Sequence, residues 1–253
     1  MGQKFSRAFN ATFRDEKSRN NYLYTTAYGP AISRILVSII STHGDNKGLV
    51  LPFCISPIEV VIIPIYDAKN KAKVLKYCNE IKSKLHKSNI KAKMDEREDY
   101  SPGWKFHEWE LKGVPFRLEV GEKEVRSKKL TLFNRDTGKK QKISINSLSK
   151  LKDLGKKYDE ELRKKADKSI VGKITNCKNK EEIKKALNSG KIARLNWCSI
   201  EKNGEKCAEH IEKDLGAEVR GILANKNEKP AKNSKCAICN RPANEIVYIG
   251  RSY

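Results

Sequence analysis

Hydrophobic residues in the first fifty positions fall into two patterns that predict different elements. Between Phe5 and Phe13, apolar side chains that include Phe9 recur at alternating positions, and this spacing predicts a β-strand. Residues 15–21 are polar and predict a turn. Residues 32–42 are almost continuously apolar and predict a buried helix.

Arg34 stands on the first turn of this predicted helix, behind a Gly29-Pro30 turn. Because an unpaired charge is costly to bury, the arginine needs a partner. A nucleotide phosphate or base and a structural carboxylate suit the guanidinium fork about equally. His43 and Asp45 follow on one loop, where a structural cap at the helix end is favoured over a catalytic pair.

The middle of the chain alternates between strand and helix patterns. Residues 59–65 are almost continuously apolar, which is typical of a strand covered on both faces of its sheet. The order of strand, helix, strand, helix, strand indicates an α/β layer with a mainly parallel sheet. The predicted strands are 59–65, 89–94 and 116–120, and the predicted helices are 67–86 and 103–111.

The chain beyond this layer predicts a hairpin, a bridging helix and a third unit. Strands 129–133 and 142–145 flank the turn sequence Arg135-Asp-Thr-Gly138 and predict the hairpin. A long charged helix is expected over residues 148–168. The third unit begins near residue 169, with predicted helices 180–187 and 205–215 and predicted strands 192–197 and 245–253.

The net charge of the chain indicates a class of binding partner. Among 253 residues, 53 Lys and Arg outnumber 31 Asp and Glu and give a net charge of +22. This excess indicates a polyanionic partner, nucleic acid first, although a generally lysine-rich proteome gives the same charge without a function. No apolar run reaches ~18 residues and no secretory leader is recognisable, so we expect no membrane span and a cytoplasmic location.

Four of the seven cysteines lie late in the chain in a pattern typical of a metal site. Cys236 and Cys239 are separated by two residues, which lets both thiolates reach one tetrahedral Zn²⁺ ion, and Cys198 and Cys207 complete the set. Two alternatives are ordinary reduced cysteines without a metal, and His210 as a ligand in place of Cys207. Of the remaining cysteines, we expect Cys54 and Cys78 in the core and leave Cys177 unassigned.

Arg117 and Glu119 share one face of the predicted strand 116–120. Such a face can read nucleobase edges, with the carboxylate accepting from an amino group and the guanidinium forking to a guanine. The alternative is a same-face ion pair without a ligand. Eight Lys and Arg between residues 123 and 142 form either a phosphate-facing strip or a charged sheet edge that prevents strand pairing.

Taken together, these segments resemble prolyl-tRNA synthetase of the archaeal and eukaryotic type, a class II aminoacyl-tRNA synthetase family. The resemblance runs in order along essentially the whole chain. Besides the four late cysteines, it covers residues 2–6, 28–34, 43–52, 57–64, 103–106, 109–115, 117–121, 135–138, 189–192 and 250–253.

The resemblance implies three domains. Residues 1–55 would be the end of an antiparallel class II catalytic domain. Residues 56–150 would be an α/β anticodon-binding domain with a mixed sheet, and residues 151–253 a small α+β zinc-type domain.

Roles for individual residues also follow from the resemblance. Arg34 would be the motif 3 arginine, which lies against ATP. The substrate would be ATP with Mg²⁺, and its use would need the missing catalytic part. Arg117 and Glu119 would read the guanines of a proline anticodon. Tyr253 would be the terminal tyrosine that packs back toward the catalytic domain.

The resemblance further implies that the chain is the C-terminal part of a synthetase. Motif 1, which builds the homodimer interface of the full-length family, has no counterpart here, and neither do motif 2 and the proline pocket. We therefore expect proline tRNA as substrate, a separate chain carrying motifs 1 and 2 as a candidate partner, and no proline activation by this chain alone. The alternatives are a stand-alone tRNA-binding module and a basic structural protein with a zinc knuckle.

Overall fold

The chain forms two compact units in a computed structural model, Met1–Lys152 and Asp153–Tyr253. The predicted domain boundaries after residues 55 and 150 assign three domains, and they stay predictions. Pro30 of the predicted turn and the terminal Tyr253 lie outside the described residues. The structure describes residues 1–29, 31–226 and 228–252.

The N-terminal segment holds a short helix and an antiparallel hairpin instead of one long strand. The prediction of a strand from Phe5 to Phe13 is wrong over its first half. The two residues Phe5 and Phe9 are also one helical turn apart, and the Phe9 N–H donates to the Phe5 carbonyl at 2.9 Å. The elements are α1 (Lys4–Ala8), β1 (Thr12–Arg14) and β2 (Asn20–Tyr22).

The predicted polar turn at residues 15–21 is confirmed over its first part, while residues 20 and 21 belong to β2. The Asp15 carboxylate accepts the backbone N–H groups of Lys17 and Arg19, each at 2.9 Å. These hydrogen bonds and the Arg19 side chain lower the pKa of Asp15, although burial opposes the effect. An ionised aspartate therefore closes the hairpin.

Helix α2 (Ile32–His43) lies where it is predicted but is not buried. None of its residues is buried within the described part of the chain, and Ile32 and Val37 are 71% and 60% exposed. The prediction of burial is therefore wrong for these residues. An apolar run indicates that a helix needs a covering surface, but not where that surface lies. Neither α2 nor any other described helix is long and apolar enough to cross a membrane.

The predicted α/β layer is confirmed as a five-stranded mixed sheet of order β4-β3-β5-β6-β7. The strands β4, β3 and β5 are parallel, and β5, β6 and β7 are antiparallel. Every residue of β3 and β5 is buried. The strands are β3 (Val60–Pro64), β4 (Ala92–Met94), β5 (Phe116–Val120), β6 (Lys129–Asn134) and β7 (Lys140–Ser144).

Three helices accompany this sheet. The first buries Val74, Cys78, Ile81 and Leu85, which recur every three or four residues and form one apolar stripe facing the strands. This stripe confirms the predicted core position of Cys78. The helices are α3 (Lys71–Lys87), α4 (Pro102–Leu111) and α5 (Glu122–Ser127).

Two glycines bring residues 49–51 against the end of α4. The Leu49 N–H donates to the Leu111 carbonyl at 3.0 Å, and Gly113 has a positive φ of +70°. A Cβ on Gly113 would lie 2.6 Å from the Leu49 Cβ, and a Cβ on Gly48 would lie 2.6 Å from the Leu111 Cα. Only glycine permits this approach of the two backbones.

The second unit is a four-stranded sheet of order β10-β11-β9-β8 with two short helices. Its core gathers residues such as Ile183, Trp197 and Val247. The predicted helices and strands of this unit are all present. Two short strands, Ile174–Asn176 and Glu218–Gly221, are additional. The elements are α6 (Leu151–Lys173), β8 (Ile174–Asn176), α7 (Lys180–Asn188), β9 (Ile192–Trp197), α8 (Glu205–Leu215), β10 (Glu218–Gly221) and β11 (Glu245–Gly250).

We expect Gly113→Ala to lower the free energy of unfolding of the first unit by about 2 kcal/mol or more, because it adds both a left-handed alanine and a steric clash. Gly103→Ala is the matched control, since a Cβ there meets nothing within 4 Å. Urea denaturation measures both variants. Equal midpoints for the two would contradict the close approach at Gly113.

Candidate nucleic-acid interface and metal centre

Arg34 lies exposed on the first turn of α2. Its carbonyl accepts a hydrogen bond from the Ser38 hydroxyl at 2.8 Å. The argument that a buried arginine needs a partner is therefore wrong here, because α2 is not buried. A contact of Arg34 with ATP stays a prediction that rests on the resemblance.

The loop after α2 holds a structural ion pair. The Asp45 carboxylate accepts two hydrogen bonds from Arg135, at 2.8 and 2.6 Å, and this pairing lowers the pKa of Asp45 to about 2. Arg135 also donates to the Glu110 carbonyl at 2.9 Å. The carboxylate is thus engaged in joining this loop to the sheet, which supports a structural interpretation of Asp45.

Arg117 lies in the interior of the first unit, only 4% exposed. Its guanidinium donates twice to Glu119, at 3.2 and 2.9 Å, and once to Glu110, at 3.3 Å. The rings of Phe106 and Phe133 lie 4.2 and 4.1 Å from its central carbon. The guanidinium is therefore held between two aromatic faces and two carboxylates.

Glu119 forms the outer end of this network, which we call the Arg117 network. Its second carboxylate oxygen accepts from Lys140, at 2.8 Å, and that lysine side chain is half exposed. A base could approach Glu119 by displacing Lys140, whereas the buried Arg117 already donates to Glu119, Glu110 and the Phe106 carbonyl. The geometry favours the ion-pair interpretation for Arg117, and base contacts by either residue stay predictions.

The basic hairpin formed by β6 and β7 also carries exposed cations that are not part of the Arg117 network. Lys142 pairs with Glu124 at 2.7 Å, so part of the strip is neutralised as a charged edge. The remaining exposed lysines leave a surface that suits a phosphate backbone. On the hairpin they are Lys129 and Lys139, and Lys123 on α5 and Lys128 just after it belong to the same basic segment.

The four late cysteines converge in the second unit, as their spacing predicts. Their sulfur atoms all lie within 4.8 Å of one another, and the Cys198 and Cys207 sulfurs are 3.8 Å apart. A tetrahedral ion with bonds of about 2.3 Å to sulfur needs sulfurs about 3.8 Å apart. The donor set therefore fits a tetrahedral metal ion. His210 lies outside the set and points to Asp214, at 3.6 Å.

The local structure brings Cys198 and Cys207 together, although the two cysteines are widely spaced in the sequence. Cys198 directly follows β9, and Cys207 lies on the first turn of α8, so the intervening loop folds back. The other two cysteines lie in a tight turn, where the Cys236 N–H donates to the Arg241 carbonyl at 2.8 Å. Three separate segments thus meet at one point.

Arg241 supplies positive charge to this cluster. It donates to the sulfurs of Cys239 and Cys198 at 3.2 and 3.4 Å and to the Asn203 carbonyl at 2.7 Å. Burial raises the pKa of Cys198 and of Cys207. Burial also opposes ionisation of Cys239, but the hydrogen bonds from Arg241 outweigh it and lower the pKa of Cys239 to about 6. The sequence spacing did not single out this arginine.

Two further cysteines, Cys54 and Cys177, lie outside the cluster, one with a core prediction and one without any. Cys54 is exposed, because the turn Phe53–Ile55 buries Phe53 and directs its neighbour outward, so the core prediction for Cys54 is wrong. Cys177 is buried in the core of the second unit, and burial raises its pKa.

One surface feature also lacked a prediction. Tyr100 and Trp104 stack on each other at the start of α4 and remain partly exposed. Their spacing of four residues around a Ser-Pro helix start was the available signal.

Comparisons with known proteins agree with this arrangement. The family profile described as "Anticodon binding domain" matches residues 59–154. The profile described as "Prolyl-tRNA synthetase, C-terminal" matches residues 180–253.

Whole relatives match along the entire chain. The chain is 40% identical to the proline–tRNA ligase of Thermofilum pendens and 31% identical to that of Ignicoccus hospitalis, covering 100% of this chain and 52% of each relative. A crystal structure of prolyl-tRNA synthetase from Cryptosporidium parvum, complexed with L-proline and AMP, superimposes with a TM-score of 0.82 at 33% identity. It matches 100% of this chain with 52% of its own length. The chain thus spans about half the length of the curated relatives it matches.

Removing the buried cation Arg117 should destabilise the first unit more than removing Lys140, the half-exposed cation that also pairs with Glu119. We expect Arg117→Met to lower the free energy of unfolding by about 3–5 kcal/mol, since two carboxylates lose their buried counter-ion. Lys140→Met should change it by less than about 1 kcal/mol, because that amine is half exposed. Chemical denaturation compares the two variants. Similar losses for both would contradict the network described above.

Proposed function

Since the chain belongs, as a C-terminal part, to the prolyl-tRNA synthetase family, we propose that it supplies the tRNA-recognising half of a proline–tRNA ligase. The observation that carries this proposal is the α/β unit at residues 59–154, which matches the anticodon-binding family and lies in a chain of net charge +22. The proposed reaction is the ATP-dependent attachment of proline to proline tRNA in the cytoplasm. A tRNA-binding module unrelated to a ligase is not favoured, because the match extends over the whole chain.

Anticodon recognition is assigned to the sheet side that carries Glu119. Its outer carboxylate oxygen can accept from a guanine amino group once Lys140 moves to a phosphate. Arg117 then acts as a positioning residue, because its hydrogen bonds hold Glu119 in one orientation. The exposed lysines of the β6–β7 hairpin supply the electrostatic attraction for the tRNA backbone.

The ATP site is proposed to include Arg34 on the exposed first turn of α2. Activation of proline requires attack of its carboxylate on the ATP α-phosphate, with Mg²⁺ and cationic groups offsetting the phosphate charge. A single exposed arginine does not provide that environment. We therefore assign the remaining phosphate and proline contacts to the half of a synthetase that this chain does not span, on the same or a separate polypeptide.

The exposed face of α2 supports the same assignment. Ile32, Ile35, Leu36 and Val37 are between 49% and 71% exposed, and a soluble helix normally buries such a stripe. We propose that the other half of the catalytic domain covers it. In that position the helix would carry Arg34 to the bound nucleotide.

We assign the four-cysteine cluster to a structural Zn²⁺ ion. Four thiolates are a donor set that zinc prefers, and no open position remains for a reacting molecule. When bound, the ion cross-links the segments that carry the cysteines. Arg241 offsets the negative charge of two thiolates and orients them, so it acts as a positioning residue.

Anticodon recognition predicts that the chain distinguishes proline tRNA from a variant with both anticodon guanines replaced. We expect the replacement to weaken binding roughly tenfold or more, since each lost base contact costs about 1–3 kcal/mol. Fluorescence anisotropy with labelled transcripts measures both dissociation constants at fixed salt. Equal affinities that fall steeply with added salt would leave only general basicity and would refute anticodon reading.

The zinc assignment predicts one metal ion for each chain, lost in Cys236→Ser and retained in the control Cys54→Ser. Arg241→Met should keep the ion but weaken its binding roughly 10- to 100-fold in competition with a chelator. Elemental analysis and the thiolate-to-metal charge-transfer bands of the Co²⁺-substituted chain give the readout. Metal-free wild-type chain that also fails to take up Co²⁺ would rule the site out.

A further inference from the structure

Two aromatic side chains form a stacked pair on the surface of the first unit. The ring centroids of Tyr100 and Trp104 are 3.9 Å apart, and their planes differ by only 16°. The residues are 40% and 44% exposed, although large aromatic residues are usually mostly buried. We call this pair the Tyr100–Trp104 stack, and it leaves an aromatic surface open to water.

The start of α4 fixes the separation between the two rings. Ser101 caps the helix by accepting the Trp104 N–H at 3.3 Å, and Pro102 occupies the first helical position. The turn between Tyr100 and Trp104 is therefore determined by backbone geometry. A surface that is already ordered loses little conformational entropy when it binds a ligand.

An arginine supports the stack from the side. The Arg97 central carbon lies 5.0 and 5.3 Å from the two ring centroids. Two hydrogen bonds to Asp95, at 2.9 and 2.7 Å, and an ion pair with Glu108 hold this guanidinium in place. Arg97 therefore packs beside both rings while its own position is fixed.

Each ring lines a different cavity. Trp104 lines a cavity of about 530 Å³ together with Lys47 and His107. Tyr100 lines a cavity of about 310 Å³ that reaches Pro64, the last residue of β3. The second cavity thus opens at the carboxyl end of a parallel strand, where open α/β sheets bind ligands. Either cavity has room for a planar base.

We propose that the Tyr100–Trp104 stack binds an unpaired nucleobase of the bound tRNA, which lies flat on the open face of one ring. The proposal rests on the proposed function, because the ligand is RNA. Single-stranded RNA is held by aromatic side chains on which its bases stack, next to cations that contact the backbone. Lys47 and Arg97 provide such cations beside the two rings.

The charges around the stack select a base over a bare phosphate. Carboxylates line both cavities, with Glu108 in the first and Glu98 and Asp99 in the second. Glu108 is paired with Arg97 and Lys112, and Glu98 with Lys71, but carboxylate oxygens still accept hydrogen bonds from the amino and imino groups of a base, which a phosphate group does not offer. The surface therefore differs from the lysine-rich β6–β7 hairpin, which suits the backbone.

Substitutions at the stack should weaken binding of proline tRNA while the chain keeps its fold. We expect Trp104→Ala and Tyr100→Ala to raise the dissociation constant roughly 5- to 150-fold, the range measured for loss of one base stack. Trp104→Phe should retain most of the affinity, because a smaller ring still stacks. Tyr24→Ala is the matched control, an aromatic residue 81% exposed and away from the stack. Circular dichroism and thermal unfolding of each variant show that the fold is retained.

Tryptophan fluorescence gives a readout that a merely structural role would not change. Base stacking quenches indole emission, so proline tRNA should quench the wild-type chain and should quench Trp104→Phe much less. Wild-type affinity in both alanine variants, with the anticodon preference intact, would overturn the stack and leave the proposed function standing. A wild-type chain that does not bind proline tRNA would overturn both. Weaker binding in Tyr24→Ala equal to that in Trp104→Ala would also overturn the stack.

Discussion

The buried guanidinium of Arg117 is the interaction on which the first unit depends. It joins α4 to the sheet, because it contacts the Phe106 ring and the Glu110 carboxylate on the helix side and Glu119 on β5. A cation in this position needs all of its partners, since a buried charge without them would be expelled or would open the core. Lys140 on the hairpin is tied to the same clamp through its hydrogen bond to Glu119.

The second unit relies on a different constraint, the convergence of four sulfur atoms inside its apolar core. Three of the cysteines are buried beside residues such as Trp197 and Ile211. Four thiolates in such a place repel one another, whereas a divalent cation would offset that repulsion and bind the three segments together. A domain of this size has a limited core, so a metal ion would add stability that apolar packing alone provides less readily.

Sequence patterns predicted most of the secondary structure and the cysteine cluster, because both depend on local spacing. The buried strand β3, the hairpin of β6 and β7, and the Cys236–Cys239 turn are of this kind. The failures have a shared cause. Burial of α2 and the direction of Cys54 depend on which distant surface packs there, and a local pattern carries no such information. The Tyr100–Trp104 stack is not predicted by the sequence, because two exposed aromatic residues resemble core residues when only their spacing is known.

Arg135 connects two parts of the first unit that lie far apart in sequence. Its side chain binds Asp45, just after α2, and the Glu110 carbonyl, near the end of α4. One helix carries Arg34 and the other carries the aromatic stack. Because this guanidinium is buried and holds both partners at once, the loop after α2 and the end of α4 are fastened to each other within the first unit.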